Sequence, residues 1–166
     1  NLLGLKLGYV KNGFRLEKGA TVSVKDLEIP LPAYGGDIVG QFANPMIDKF
    51  VQLMKETGLF SSVVREDKTL AASLAVRIVI KDAEADFGDW GEVARCVWTI
   101  EVYNQEGQIL LGGLDLLHSE SYSKHWEMFL DDIPKKALLF ICRNNEEFAK
   151  IYDDLKKKGQ FKQISE

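Results

Sequence analysis

Two histidines and three serines lie close together along the chain: His118, Ser119, Ser121, Ser123 and His125. A serine nucleophile needs a general base that is itself oriented by a third group. No G-x-S-x-G sequence surrounds these serines, and the two histidines do not have the His-x-x-x-His spacing of a helical zinc site. We therefore interpret all five as polar residues in a loop or at a strand end, and we predict neither a catalytic residue nor a metal site.

The acidic segment 82–91 carries carboxylates at alternate positions, which are the hard oxygen ligands that Ca²⁺ prefers. An EF-hand register requires glycine where Phe87 stands and glutamate where Val93 stands, so the calcium interpretation fails. The segment is predicted to be a solvated hairpin loop. Phe87 and Trp90 either anchor a partner or fold back onto the sheet, and the sequence leaves both alternatives open.

A second acidic group, Glu127 with Asp131 and Asp132, comes just before Pro134. Paired carboxylates act as acid and base only where their surroundings separate their pKa values. Their position instead predicts structural capping of a helix start. No G-x-x-x-x-G-K or G-x-G-x-x-G sequence provides a phosphate cradle, so no cofactor is predicted.

The composition is that of an ordinary globular domain of 166 residues with a formal net charge of −4. This charge argues against nucleic acid as a partner. No apolar run approaches the roughly 20 residues that span a bilayer. Because the chain starts at Asn1 rather than at methionine, we expect either a processed product, from which a signal peptide has been removed, or part of a longer chain. Cys96 and Cys142 lack metal-ligand spacing and are either two buried small hydrophobes or a disulfide.

The clearest structural signal is a helix followed directly by a strand. Asn44 is predicted as the N-cap and Pro45 as the first helical residue. Thr57-Gly58 is predicted to end the helix, and residues 59–64 to form a strand. The helix has one apolar stripe, formed by Met46, Ile47, Phe50, Val51 and Met54.

A three-stranded meander is predicted after this unit. Residues 74–81 and 94–102 alternate apolar and polar side chains, the pattern of strands with one buried face. Residues 104–107 are a hairpin turn, and 108–117 return as a third strand. The Gly112-Gly113 pair in that strand indicates a bulge or a close backbone approach.

The remaining segments complete an α+β domain. Two short strands are predicted at 5–9 and 20–24, a proline-containing edge or loop at 26–32, and a glycine-rich connection at 33–40. Helical patterns follow Pro134 and Asn144-Asn145. We predict one domain over 1–166, with 1–19 as a candidate N-terminal extension. Its sheet is mainly antiparallel, in the order strand, helix, strand meander, helix, with the helices packed on one face.

These residues carry a family resemblance. The helix, the Thr57-Gly58-Leu59-Phe60 step, the strands at 59–64 and 74–80 and the turn and strand at 104–110 resemble the bacterial ABC-transport auxiliary lipoproteins. In outline they are also similar to the curli-secretion lipoprotein and the TolB N-terminal fold. The resemblance covers residues 20–156, but the proline-containing segment 27–32 and the kinked region after Trp126 depart from the family pattern. It implies a non-enzymatic periplasmic component that is anchored by a lipidated cysteine upstream of Asn1 and docks onto partner subunits.

The leading interpretation is therefore a lipoprotein accessory of an envelope transport or assembly system, in the periplasm or at the outer membrane, with envelope proteins as partners and oligomerisation open. Partners would bind to loops 34–40 and 86–90 and to a sheet edge. The predicted partner-binding residues are Tyr34, Asp86, Phe87, Asp89 and Trp90. The alternatives are a small-molecule-binding or enzymatic α+β domain and a cytoplasmic domain that shares only the architecture.

Overall fold

The computed structural model describes residues 6–10, 14–28, 42–66, 72–85, 94–119, 128–143 and 145–157. Within these residues, the strands are β1 (Lys6–Val10), β2 (Ala20–Val24), β3 (Phe60–Arg65), β4 (Leu74–Ala85), β5 (Ala94–Tyr103) and β6 (Ile109–Ser119). The helices are α1 (Ala43–Glu56), α2 (Ile133–Cys142) and α3 (Phe148–Lys157). A π-helical turn, Met128–Asp132, leads directly into α2.

The described strands form one sheet in the order β1-β6-β5-β4-β2-β3. The pairs β4–β5, β5–β6 and β1–β6 are antiparallel. Strand β2 is inserted between β3 and β4 and is parallel to both. The predicted α+β class is confirmed, and the sheet is mixed, with antiparallel pairing dominant. Part of the segment 1–19 contributes β1 to this sheet.

Helix α1 begins earlier than the sequence pattern predicts. Phe42 occupies the N-cap position without a side-chain cap, so the prediction of Asn44 as N-cap is wrong. Asn44 lies in the first turn, and its side chain accepts a hydrogen bond from Arg65 instead. Pro45 is the third helical residue, where a missing N–H still costs no helical hydrogen bond. The buried stripe is close to the predicted one and comprises Met46, Ile47, Phe50, Leu53 and Met54.

Gly58 ends α1 and turns the chain into β3, as predicted. Its φ of +71° lies in the left-handed region that favours glycine. The Thr57 hydroxyl donates to the Met54 carbonyl oxygen at 2.7 Å and accepts from the Leu59 N–H at 3.2 Å. The turn therefore satisfies backbone groups that the end of the helix leaves without partners.

The core lies between the sheet and the helices. Strands β4 and β5 contribute alternate side chains with no exposed surface: Val76, Ile78 and Ile80, then Trp98, Ile100 and Val102. This alternation confirms the predicted period of two. Helix α2 packs against α1, and all ten of its residues are buried, including Lys135 and Lys136.

The predicted loop at 82–91 is partly wrong, because β4 continues through Ala85. The last four residues of β4 pair with β5, so that Ala85 lies opposite Ala94. Residues 86–93 lie outside the described part, as do 29–41. The predicted hairpin turn is confirmed: Gly107 has φ +79°, and the Asn104 side chain accepts hydrogen bonds from the N–H groups of Glu106 and Gln108.

The two glycines of β6 lie in an interior strand, next to the edge strand β1. Gly112 and Gly113 pair with β5 on one side and with β1 on the other. At these glycines β6 pairs with β5 in regular register, and the irregularity falls in β1, between Leu7 and Tyr9, so the bulge predicted within β6 is not found there.

Candidate functional site

A buried ion pair is the group in the described residues that most resembles a catalytic cluster. The Asp115 and Lys136 side chains are only 3% and 5% exposed, and Lys136 Nζ lies 3.1 Å from Asp115 Oδ2. The indole N–H of Trp98 donates to the same oxygen at 3.1 Å. Trp98 and Asp115 are directly opposed on β5 and β6, whereas Lys136 lies in the first turn of α2.

This geometry favours a structural role for the cluster. A buried carboxylate needs a cation and hydrogen-bond donors to offset the loss of hydration, and Lys136 and Trp98 supply both. Neither of the surface clefts described below is lined by any of the three side chains. The cluster therefore fixes the start of α2 against the sheet. Sequence reasoning missed it, because the Pro134-Lys135-Lys136 run has the composition of a solvated helix end.

The predicted acidic cluster does lie at a helix start, but it does not act as a hydrogen-bonded cap. Asp132 occupies the N-cap position of α2 without a side-chain cap hydrogen bond. Asp131 Oδ2 instead lies 3.3 Å from Lys135 Nζ, one turn along the chain. Glu127 lies outside the described residues.

The histidine and serine candidates are only partly within the described structure. His118 and Ser119 are the last residues of β6, and their backbones pair with Arg95 and Ala94 of β5. The other three candidates, Ser121, Ser123 and His125, lie outside the described residues. Among the residues that are described, no three His, Cys, Asp or Glu side chains are grouped as metal ligands.

Cys142 is a buried free thiol in α2. Burial raises its pKa to about 12, so the thiol stays protonated at neutral pH and is a poor nucleophile. Of the two predicted alternatives, a buried small hydrophobe or a disulfide, Cys142 is the buried small hydrophobe. The Cys96 side chain lies outside the described part.

The five predicted partner-binding residues are also outside the described residues. Tyr34 belongs to the undescribed stretch before α1, and Asp86, Phe87, Asp89 and Trp90 follow the end of β4. The structure therefore does not bring them together or separate them, and they remain a prediction.

A charged network lies on the sheet face that points away from the helices, which we call the outer face. Arg77 of β4 lies directly opposite Glu101 of β5, and its guanidinium is 5.8 Å from the ring centre of Tyr103. Glu28 Oε2 lies 3.5 Å from Arg77 Nη1, and the Tyr103 hydroxyl donates to the Glu101 carboxylate. These contacts hold four side chains in place between neighbouring strands.

The same network raises the pKa of the Tyr103 hydroxyl. Partial burial raises the pKa of Tyr103 to about 12, and the hydrogen bond and negative charge of Glu101 act in the same direction, against the weaker opposing charge of Arg77. Leu114, on the same face, is 41% exposed. A single exposed leucine does not define an interface, so the outer face gives weaker evidence for docking than the sheet edges do.

The predicted sheet edge takes a definite form. Within the described residues, β1 pairs only with β6 and β3 pairs only with β2, so each terminal strand presents one side without a neighbouring strand. Backbone N–H and C=O groups on such a side can accept a further strand. These two edges are the candidate interaction sites that the geometry of the fold supports best.

Two small surface clefts adjoin each other near the start of α3 and share Glu147. One lies between α1 and α3 and is lined by Leu53, Glu56, Thr57, Glu147, Lys150, Ile151 and Asp154. The other is lined by residues 15–18 and 145–147. Charges of both signs dominate the linings, so neither cleft has the mostly apolar lining that is typical of small-ligand pockets.

Comparison with known proteins shows that this chain shares its fold with solved structures. No family model and no curated protein matches the chain. A PelC dodecamer from Paraburkholderia phytofirmans has a TM-score of 0.53 at 14% identity, with 84% of this chain and 93% of that chain covered. A second PelC dodecamer structure from that organism gives 0.52 at 12% identity, with 87% and 95% covered.

A lipoprotein from Neisseria meningitidis is more distant, with a TM-score of 0.47 at 10% identity over 72% of this chain and 99% of that one. Over 84–87% of its length the chain shares the fold of PelC, and the fold is what this likeness shows. Among the described residues, no helix is both long enough and apolar enough to cross a membrane.

Proposed function

We propose that this chain is a non-enzymatic interaction module of the bacterial envelope that works as an oligomer. The observation that carries the proposal is the fold shared with PelC, whose two matching structures are dodecamers. A fold can serve different functions, so the shared architecture supports the proposal by analogy. The resemblance to ABC-transport auxiliary lipoproteins supports the same class of function from the sequence.

The side-chain chemistry of the described residues is consistent with a role that does not need catalysis. The buried pair of Asp115 and Lys136 holds α2, the Cys142 thiol is protonated and enclosed, and Asp131 is paired with Lys135. Each of these groups therefore has a structural partner or surrounding. The open sheet edges, in contrast, offer backbone groups to another polypeptide.

The proposed location is the periplasm or the periplasmic side of the outer membrane, with a lipid anchor upstream of Asn1. The test is the intact mass of the full-length protein from fractionated cells, grown with and without an inhibitor of lipoprotein signal peptidase. We expect a lipidated mature form in the membrane fraction and a longer precursor when the inhibitor is present. An unprocessed chain in the cytoplasmic fraction in both cultures would contradict the proposed location.

The cleft between α1 and α3 keeps a small-molecule-binding role as a second candidate. Its wall combines the apolar side chains of Leu53 and Ile151 with charges of both signs, which suits a small polar ligand better than an apolar one. Native mass spectrometry of the purified protein tests this candidate. A reproducible adduct that is lost in an Ile151→Trp variant would support it, and a clean chain mass would exclude a tightly held ligand.

A further inference from the structure

The two terminal strands of the sheet run in opposite directions. Three successive antiparallel pairs lead from β4 through β5 and β6 to β1, so β1 runs opposite to β4. Strand β2 is parallel to β4, and β3 is parallel to β2, so β3 runs in the same direction as β4. It follows that β1 and β3 are antiparallel to each other across the width of the sheet. When two copies are placed side by side in the same orientation, β3 of one therefore meets β1 of the next as an antiparallel pair.

The backbone of β3 has hydrogen-bonding groups available for such a pair. The Glu66 N–H donates to the Val24 carbonyl oxygen at 2.8 Å, and Val24 lies opposite Arg65 in the parallel pair. Because successive peptide groups along a strand point to opposite sides, the N–H and C=O of Val63 and Arg65 face away from β2. These groups form the outward side of the strand.

Each edge carries one charged residue, at its end, and no proline, so both edges have few of the features by which proteins usually block edge pairing. Such features are prolines, lysines and other charges placed along the strand. In β3, Arg65 is the charged residue, and its guanidinium is held by Asp26 and Asp48, each 3.1 Å away. The rest of the strand, Phe60-Ser61-Ser62-Val63-Val64, is uncharged. In β1, the charged residue is Lys6, at the very start.

We propose that β3 of one copy pairs antiparallel with β1 of the next, which joins copies of this chain head to tail through a continuous sheet. The inference rests on the proposed oligomeric function and assigns its interface. A contact between two different edges leaves one free edge at each end, so it propagates until rotation closes a ring.

The first test places a charge on the β3 edge. Ser62 is a half-buried small residue of β3, and Ser62→Lys introduces a cation on the sheet face, directly beside the side chains of the neighbouring strand. The matched control is Gln52→Lys on the exposed side of α1. By light scattering on a sizing column, we expect the Ser62→Lys protein to have the mass of one chain under conditions in which the wild type and the control are assembled. A Ser62→Lys protein with the wild-type mass would overturn the interface.

Mixing variants tests the head-to-tail arrangement. Ser62→Lys blocks β3 and leaves β1 free, whereas Tyr9→Lys blocks β1 and leaves β3 free. Each protein alone should have the mass of one chain, and an equimolar mixture should form a dimer of one copy of each. Wild-type assembly by Tyr9→Lys alone would refute the participation of β1.

Circular dichroism of each variant establishes that it is folded, and Ser61→Lys replaces Ser62→Lys if the latter does not fold. The outcome for the wild type separates the two proposals. A wild-type chain that is monomeric at every concentration removes the oligomeric function itself. An assembled wild type with unaffected variants removes only this interface.

Discussion

Replacement of Lys136 by methionine removes the cation that contacts the buried carboxylate of Asp115. Methionine has nearly the same length and no charge, so the packing of α2 is kept while the carboxylate retains only the indole N–H of Trp98. The side chains of Asp115 and Lys136 are 3% and 5% exposed, and water therefore cannot reach the carboxylate in place of the lost ammonium group without local opening.

The expected loss follows from this burial. Removal of one partner of a buried ion pair destabilises a protein by about 3–5 kcal/mol, because the other charge stays uncompensated. Since a domain has roughly 5–15 kcal/mol of stability in total, Lys136→Met should cost a large part of it. With about 2–4 °C per kcal/mol for a chain of this size, the melting temperature should fall by roughly 6–20 °C.

The decisive variant is the double replacement Asp115→Leu with Lys136→Met. It removes both charges and leaves the Trp98 N–H without its acceptor, a loss of about 1–3 kcal/mol. We therefore expect the double variant to be more stable than Lys136→Met alone. Replacement of an ion pair by apolar groups of similar volume is often neutral or stabilising, which is the physical basis of this expectation.

Urea unfolding, monitored by circular dichroism, measures these free energies of unfolding. The comparison requires that the free energy fall with urea concentration at the same slope in every variant. The control is Lys150→Met on the exposed side of α3, which should change the free energy of unfolding by less than about 0.5 kcal/mol. Additive losses, with the double variant less stable than either single variant, would refute the interpretation that Asp115 and Lys136 act as a buried pair.

Three further predictions concern a turn, a phenol and a loop. Gly107→Ala should lower the free energy of unfolding by roughly 1–2 kcal/mol, because the added Cβ meets no neighbour and only the positive φ opposes it; urea unfolding measures this loss, and an unchanged midpoint would contradict it. The pKa of Tyr103 is raised above that of a phenol in the unfolded chain, so the stability that Tyr103 contributes is present below pH 10 and lost as the pH rises towards about 12. Urea unfolding at several pH values should therefore show a smaller decline in the free energy of unfolding for Tyr103→Phe than for the wild type. An equally steep decline in both proteins would exclude Tyr103 as its source. Joint replacement of Phe87 and Trp90 by alanine should weaken capture of envelope proteins in pull-downs without changing the melting temperature, whereas capture equal to that of the wild type would remove both residues from the binding surface.

The local elements were predictable because their signals are local. The apolar stripe of α1, the glycine that ends it and the alternation along β4 and β5 each depend on a few neighbouring residues, and the structure confirms them. The start of α1 was missed because Asn44 has a side-chain partner distant in sequence, Arg65. A cap preference is weak compared with such a contact.

The features that sequence reasoning missed depend on contacts between distant segments. Nothing in residues 20–24 indicates that β2 is inserted between β3 and β4, since strand order is not written in local periodicity. The burial of Lys136 is invisible for the same reason, because its partner Asp115 lies on another element. The opposite directions of β1 and β3 emerge only from the complete strand order.

The central claim is that copies of this chain assemble with one another to do their work. The most direct measurement is the native mass of the full-length protein extracted from its membranes in mild detergent, over a range of concentrations. The account predicts a discrete assembly of several chains that persists on dilution and dissociates when Ser62 is replaced by lysine. A single chain mass at every concentration would contradict it.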